Sequence, residues 1–205
     1  AFAGFPRTHN LYDRARSYLG LAEKPAALTG KIPARAKRIL ISPFSTDVRK
    51  SLNHDDLRKL IAWLGARYSE ASMALALFPE EDGKVRDLPI ARFHFGKSRK
   101  RSRAFLELVK GSDLFVGVDA GPLHLADAIG VSSIGLFGPT APETILDRVS
   151  GIVPLRLNAM QGWFCDIRDC TDPVCLHRLL GSTMLPPAPV DFTRSPTLET
   201  RLCHA

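Results

Sequence analysis

The sequence predicts an α/β fold, a mostly parallel β-sheet flanked by helices. Three observations predict it. First, short apolar runs at 38–42, 72–78, 114–118 and 133–137 read as strands buried on both faces. Second, segments with helical spacing alternate with them: Leu57 to Tyr68, Ser102 to Lys110, and Leu123 to Ile129. Third, the Gly, Pro and hydroxyl residues gather just after strands, at Pro43 to Thr46, Asp119 to Pro122 and Gly138 to Thr140. Strands that alternate with helices imply βαβ units and a Rossmann-like sheet.

Taken in order, residues 1–36 hold a short helical stripe of Leu11, Ala15, Tyr18 and Leu19, which Gly20 and Pro25 interrupt. Thr29 to Arg38 then reads as a linker. Arg38 to Ser42 is the first strand. The helix from Leu57 sets Leu57, Leu60, Ile61 and Leu64 on one side. Ser72 to Phe78 is the second strand, followed by an acidic loop, Pro79 to Gly83. Phe93 to Phe95 is a short third strand, and Ile152 to Leu157 a late one. Residues 161–178 hold three cysteines, and the segment from 183 on is rich in Pro and Thr. The expected organisation is the end of a preceding domain with its linker at 1–36, a Rossmann-like domain at 37–182, and an irregular tail at 183–205.

The chain has 205 residues, of which 45% are hydrophobic and 24% charged, enough for one good core. No apolar run approaches the roughly 20 residues that span a bilayer. Four cysteines are too few for a disulfide scaffold of this size, which favours a cytoplasmic chain. The formal net charge of +7 favours acidic partners, whether nucleotides, nucleic acid or a phosphate-rich membrane surface. Lys97, Arg99, Lys100, Arg101 and Arg103 concentrate that charge. No base-stacking aromatic pattern accompanies them, so nucleic acid is not expected.

The stretch from Asp113 to Thr140 carries the most information. Leu114 to Val118 is a strand, Asp119-Ala120-Gly121-Pro122 a tight turn, and Leu123, Leu125, Ala126 and Ile129 a helix that Gly130 stops. Asp119 suits an N-cap, and Pro122 a first helical turn. A helix N-terminus at the carboxyl end of a parallel strand favours an anion. D-A-G-P-L-H-L-A followed by G-L-F-G-P-T resembles the donor-binding half of family 9 glycosyltransferases, the lipopolysaccharide ADP-heptose heptosyltransferases. The match keeps Asp119, Gly121, Pro122, His124, Leu125, Gly130 and Phe137 to Thr140. It departs at Ala120, where Ser or Thr is usual, and at Ser132, where Pro is common.

The resemblance implies the C-terminal, donor-binding half of a GT-B glycosyltransferase. His9 to Leu21 resembles the helix that closes the family's N-terminal half. Ser45, Thr46 and Lys50 match a loop whose hydroxyls and lysine reach the donor phosphates, although Leu52-Asn53 replaces the usual Trp-Pro and Phe44 a Gly. Lys50 would help departure of the nucleoside diphosphate electrostatically, and Arg49 is the alternative cation. Asp119 would hold sugar hydroxyls. The N–H groups of Ala120, Gly121 and Leu123 would face the diphosphate, with Pro122 in the same turn contributing none. His124 would be a phosphate-side contact and not a triad base, since G-x-S-x-G is absent. One of Glu80, Glu81 and Asp82 would accept from ribose hydroxyls, against the alternative of an exposed acidic turn.

The implied reaction is inverting transfer of heptose from ADP-heptose to a lipopolysaccharide core or other glycan acceptor, with loss of ADP. No cofactor or metal is expected. Cys165, Cys170 and Cys175 lack C-x-x-C spacing and read as buried thiols. The family's base is an Asp of the N-terminal domain with no counterpart here, so this chain alone is expected to be inactive. The basic run would meet anionic lipid at the inner membrane face. The alternative reading is a non-catalytic nucleotide- or anion-binding module.

Overall fold

A computed structural model describes residues 30–96, 98–147, 150–156, 163–164, 170, 174–181 and 197–198. The stripe at Leu11 to Leu19, the His9 to Leu21 element, Lys97 and Cys165 lie outside these residues, as does most of the tail.

Six strands form one sheet: β1 (Arg38–Ser42), β2 (Ser72–Leu77), β3 (Ala91–His94), β4 (Leu114–Val118), β5 (Ser133–Leu136) and β6 (Ile152–Leu155). Their order is β3-β2-β1-β4-β5-β6, and every pairing is parallel. The direction of winding reverses between β1 and β4, which pair with Ser42 opposite Gly117. Such a switch point leaves a crevice at the carboxyl ends of the two strands, where ligands of open α/β sheets bind. Trp163–Phe164 and Thr197–Leu198 pair as a separate two-stranded ribbon.

The helices are α1 (His54–Arg67), α2 (Arg99–Lys110), α3 (Gly121–Ala128), α4 (Pro142–Ile145) and α5 (Val174–Gly181). Strand side chains alternate between faces, and the two cores follow that alternation. Ile39, Ile41, Val116, Val118, Ile134 and Leu136 pack with Leu57, Leu60 and Leu64 of α1 and with Leu176 and Leu179 of α5. Leu40, Phe115 and Phe137 face the other way, onto Phe105 and Val109 of α2 and Leu123 and Ala126 of α3. Each fully buried Leu or Phe contributes about 1.5–3 kcal/mol, so both layers hold the sheet.

Two glycines make room on the α3 side. A Cβ at Gly135 would lie 2.5 Å from the Phe137 ring and 3.0 Å from Leu123 Cδ2. A Cβ at Gly117 would lie 2.9 Å from the Phe115 ring. In each strand the glycine leaves space for the aromatic ring two residues on or back.

Local capping shifts two helix starts. α1 begins at His54, three residues before the expected Leu57, because Asn53 Oδ1 accepts the Asp56 N–H at 2.8 Å. α2 begins at Arg99 and not at Ser102, because Ser98 Oγ accepts the Arg101 N–H. The acidic loop is a 3-10 turn, Pro79–Val85, closed by the Glu81 carboxylate on the Phe78 N–H at 2.8 Å. β3 runs from Ala91 to His94, ahead of the expected Phe93 to Phe95.

Candidate functional site

The switch point gathers four side chains from three strand ends. The loop after β1 turns back on itself: Leu52 N–H donates to Pro43 O at 2.9 Å, and Ser51 Oγ accepts the Ser45 N–H at 3.0 Å. A single 3-10 turn, Val48–Lys50, capped by Asp47, then aims Lys50 across the crevice. Its ammonium donates to Asp119 Oδ2 at 2.5 Å, from the turn after β4. His124 Nε2 reaches the other oxygen, Oδ1, at 3.2 Å. The Thr140 side chain, after β5, faces the same carboxylate and helps to lower its pKa. Because the carboxylate is acceptor-only when ionised, Nε2 carries the His124 proton.

Asp119 is 6% exposed, whereas Lys50 is 25% and His124 31% exposed. Burial pushes the Asp119 carboxyl up. The hydrogen bonds from His124, Lys50 and Thr140 and the charge of Lys50 outweigh it, holding the carboxyl below its ordinary range. The cluster is therefore a buried carboxylate ringed by groups that an incoming anion can also engage.

The positions of the sequence-predicted residues differ in detail from expectation. Arg49 turns away from the crevice: its Nε and Nη2 grip Asp47 at 2.9 and 2.6 Å, and Lys50 is the cation that crosses. Asp119 does not cap α3. The capping position is Ala120, which has no side-chain bond to give, and the Asp119 carboxylate is drawn instead to Lys50 and His124. The Leu123 N–H donates to Ala120 O at 3.0 Å, so it is engaged within the turn. Ala120 and Gly121 sit at the start of α3, where a helix supplies no partner for its N–H groups. A Cβ placed on Gly121 would meet nothing within 4 Å, so the space before that backbone is open. Pro122 occupies the first turn.

Ser45 Oγ accepts the Asp47 N–H at 3.2 Å, and Thr46 beside it is exposed. Glu80 is exposed at the end of β2. Glu81 is half-buried and accepts the Phe78 N–H through Oε2, and burial pushes its carboxyl up. Asp82 meets His94 Nε2 at 3.0 Å and Arg92 at 3.7 Å. Thr140 joins the site without an expected role. Its place in the F-G-P-T run at a strand end was the available signal.

Of the cysteines, Cys175 is buried and Cys170 half-buried. No group of three or more His, Cys, Asp or Glu that could hold a metal occurs among the described residues. No helix among them is long and apolar enough to cross a membrane.

A doubly wound parallel sheet with polar side chains converging on its switch point defines a Rossmann-type architecture. Residues 99–163 match the family model of glycosyltransferase family 9 (heptosyltransferase), which covers α2, the β4 turn and α3. The D-A-G-P-L-H-L-A and G-L-F-G-P-T runs fall within that match, and the Lys50 loop lies outside it.

The fold is shared with TibC of enterotoxigenic E. coli, a dodecameric iron-containing heptosyltransferase solved with ADP-D-β-D-heptose. Identity is 18% and the TM-score 0.50, over 72% of this chain and 39% of that one. ADP-heptose LPS heptosyltransferase II of E. coli aligns at 15% identity and TM-score 0.48, over 71% of this chain and 42% of that one. E. coli heptosyltransferase WaaC, solved with ADP, aligns at 20% and 0.45, over 74% and 45%. This chain therefore spans less than half the length of each of these structures. No curated protein matches the chain.

Proposed function

We propose that the chain is the donor-binding domain of a heptosyltransferase-like glycosyltransferase. The observation that carries this reading is the convergence of Lys50, His124 and Thr140 on Asp119 beside the open start of α3. A nucleoside diphosphate would lie across the Ala120 and Gly121 N–H groups, where the helix dipole favours negative charge. Lys50 would leave Asp119 for the phosphates and offset charge on the departing ADP. Asp119, freed of the lysine, would accept hydroxyl protons from the sugar. His124 would donate from the phosphate side, and Ser45 and Thr46 would contribute hydroxyls.

The donor is ADP-heptose or a related nucleotide sugar, with Glu80 or Glu81 on the ribose side. The acceptor is a lipopolysaccharide core or other glycan, brought by an N-terminal domain that also supplies the base for inversion. This chain alone binds donor without transferring it, in the cytoplasm at the inner face of the membrane. The similarity at 99–163 and the shared fold support the reading.

Calorimetry with ADP tests it. Lys50→Ala removes a charge-assisted contact and is expected to weaken ADP binding about 10- to 100-fold. No heat with ADP, or an unchanged affinity in Lys50→Ala, contradicts it.

A second reading is a non-catalytic nucleotide- or anion-binding module. Ala120 favours it, since the turn lacks the hydroxyl usual in the family. Failure of the chain to restore transfer when joined to a related N-terminal domain, with ADP binding intact, would select it.

A further inference from the structure

We infer that α5 braces the anion site and that its His177 is a positioning residue for Lys50, an inference that rests on the donor-site reading above. Two independent contacts carry it. On one side α5 lies against the turn that delivers Thr140: a Cβ at Gly138 would sit 3.0 Å from Leu176 Cβ and 3.4 Å from Cys175 Sγ. The approach is tight enough to favour glycine there. On the other side His177 Nδ1 hydrogen-bonds Asp56 Oδ2, and lies 3.1 Å from Asn53 Nδ2.

Asn53 and Asp56 are the start of α1. Asn53 Oδ1 holds the Asp56 N–H, and Leu52, the residue before Asn53, closes the Lys50 loop onto Pro43. Three residues from Lys50 to Asn53 span at most about 10 Å, so a shift at the helix start reaches the lysine with little slack. Leu176 is fully buried in the same cluster as Leu52 and Phe44, which ties the helix to the loop through packing as well.

One helix thus touches the exit of the Lys50 loop and the root of the Thr140 turn. Those two segments meet at Asp119. Asp56 is 2% exposed and has, besides His177, a Lys59 ammonium at 3.6 Å on the solvent side. Without the imidazole, the carboxylate is expected to turn toward Lys59 and water, carrying the helix start with it. Lys50 then loses its fixed aim.

The test is ADP calorimetry on the wild type, His177→Ala, Lys50→Ala and the double variant, with circular dichroism and melting curves as the check on folding. His177→Ala is expected to bind ADP about tenfold more weakly, the scale of a small misplacement. In the Lys50→Ala background the same change is expected to add less than about twofold, because the two act as one unit. His177→Gln, which keeps a donor for Asp56, is expected to stay within about threefold of the wild type. Equal losses in both backgrounds, or no loss from His177→Ala, overturn the positioning role. Should His177→Ala not fold, His177→Asn takes its place, its donor falling short of Asp56. Equal ADP affinity in the Asn and Gln variants then overturns the inference. Absence of ADP binding by the wild type overturns the donor-site reading instead.

Discussion

Lys50 Nζ and Asp119 Oδ2 meet at 2.5 Å although 69 residues separate them in sequence. The pairing of β1 with β4 causes the meeting, since it sets the loops after those strands side by side. The carboxylate is buried and the lysine partly exposed, so the pair holds the cation in place while leaving it a path to an incoming anion. Asp119→Asn removes the competing negative charge. We expect tighter binding of inorganic pyrophosphate, by a few-fold, and weaker discrimination for the sugar-bearing donor over ADP. Calorimetry with pyrophosphate, ADP and the sugar-bearing donor checks the opposite signs.

The same carboxyl sets an acid limb of stability. Its folded value lies below the ordinary range, the opposing push of burial being outweighed by His124, Lys50 and Thr140. A depressed folded value means that the contribution is present above the unfolded value, about pH 4. It is lost as pH falls through the folded value. Melting temperature measured from pH 6 to pH 2 should therefore fall more steeply in the wild type than in Asp119→Asn, the two curves converging in acid. Parallel curves would show that the carboxyl does not contribute in this way.

Gly135 and Gly121 answer the same substitution differently. Gly135→Ala would press a methyl onto the Phe137 ring and onto Ile152 Cγ2 at 2.9 Å. Overpacking of this kind costs about 1–3 kcal/mol, read as a lower denaturation midpoint. Gly121→Ala meets open space and has no positive φ to lose, since Gly130 is the positive-φ glycine among the described residues. Its stability is expected to be unchanged or slightly higher, while ADP affinity falls as the methyl enters the space proposed for the phosphates.

The start of α2 is electrostatically adverse. Its first turn carries Arg99, Lys100 and Arg101, with no acidic residue, at the positive end of the helix dipole. Arg99→Glu with Lys100→Glu is expected to raise stability by roughly 0.5–2 kcal/mol at low salt, less at high salt. A melting series at two ionic strengths checks both the sign and the screening.

The sheet was legible in the sequence because buried parallel strands leave apolar runs and their connections leave Gly and Pro. Leu114–Val118 and Ser133–Leu136 needed only that pattern. Lys50, Asp119 and His124 were legible through motif residues at strand ends. What they do to one another was not: Asp119 reads locally as a cap, and only the distant Lys50 explains why it turns elsewhere. The part Thr140 plays is hidden for the same reason, since its partner Asp119 lies on another strand end. α5 was missed because it is eight residues long and its hold on Asp56 spans 121 residues. The starts of α1 and α2 moved because Asn53 and Ser98 cap polar first turns that carry no apolar stripe.

The most direct measurement is a crystal structure of the chain with ADP bound. We expect a diphosphate against the Ala120 and Gly121 N–H groups, with Lys50 Nζ within about 3 Å of a phosphate oxygen and the Lys50–Asp119 pair opened. ADP seated elsewhere, with that pair closed and the start of α3 empty, would contradict it.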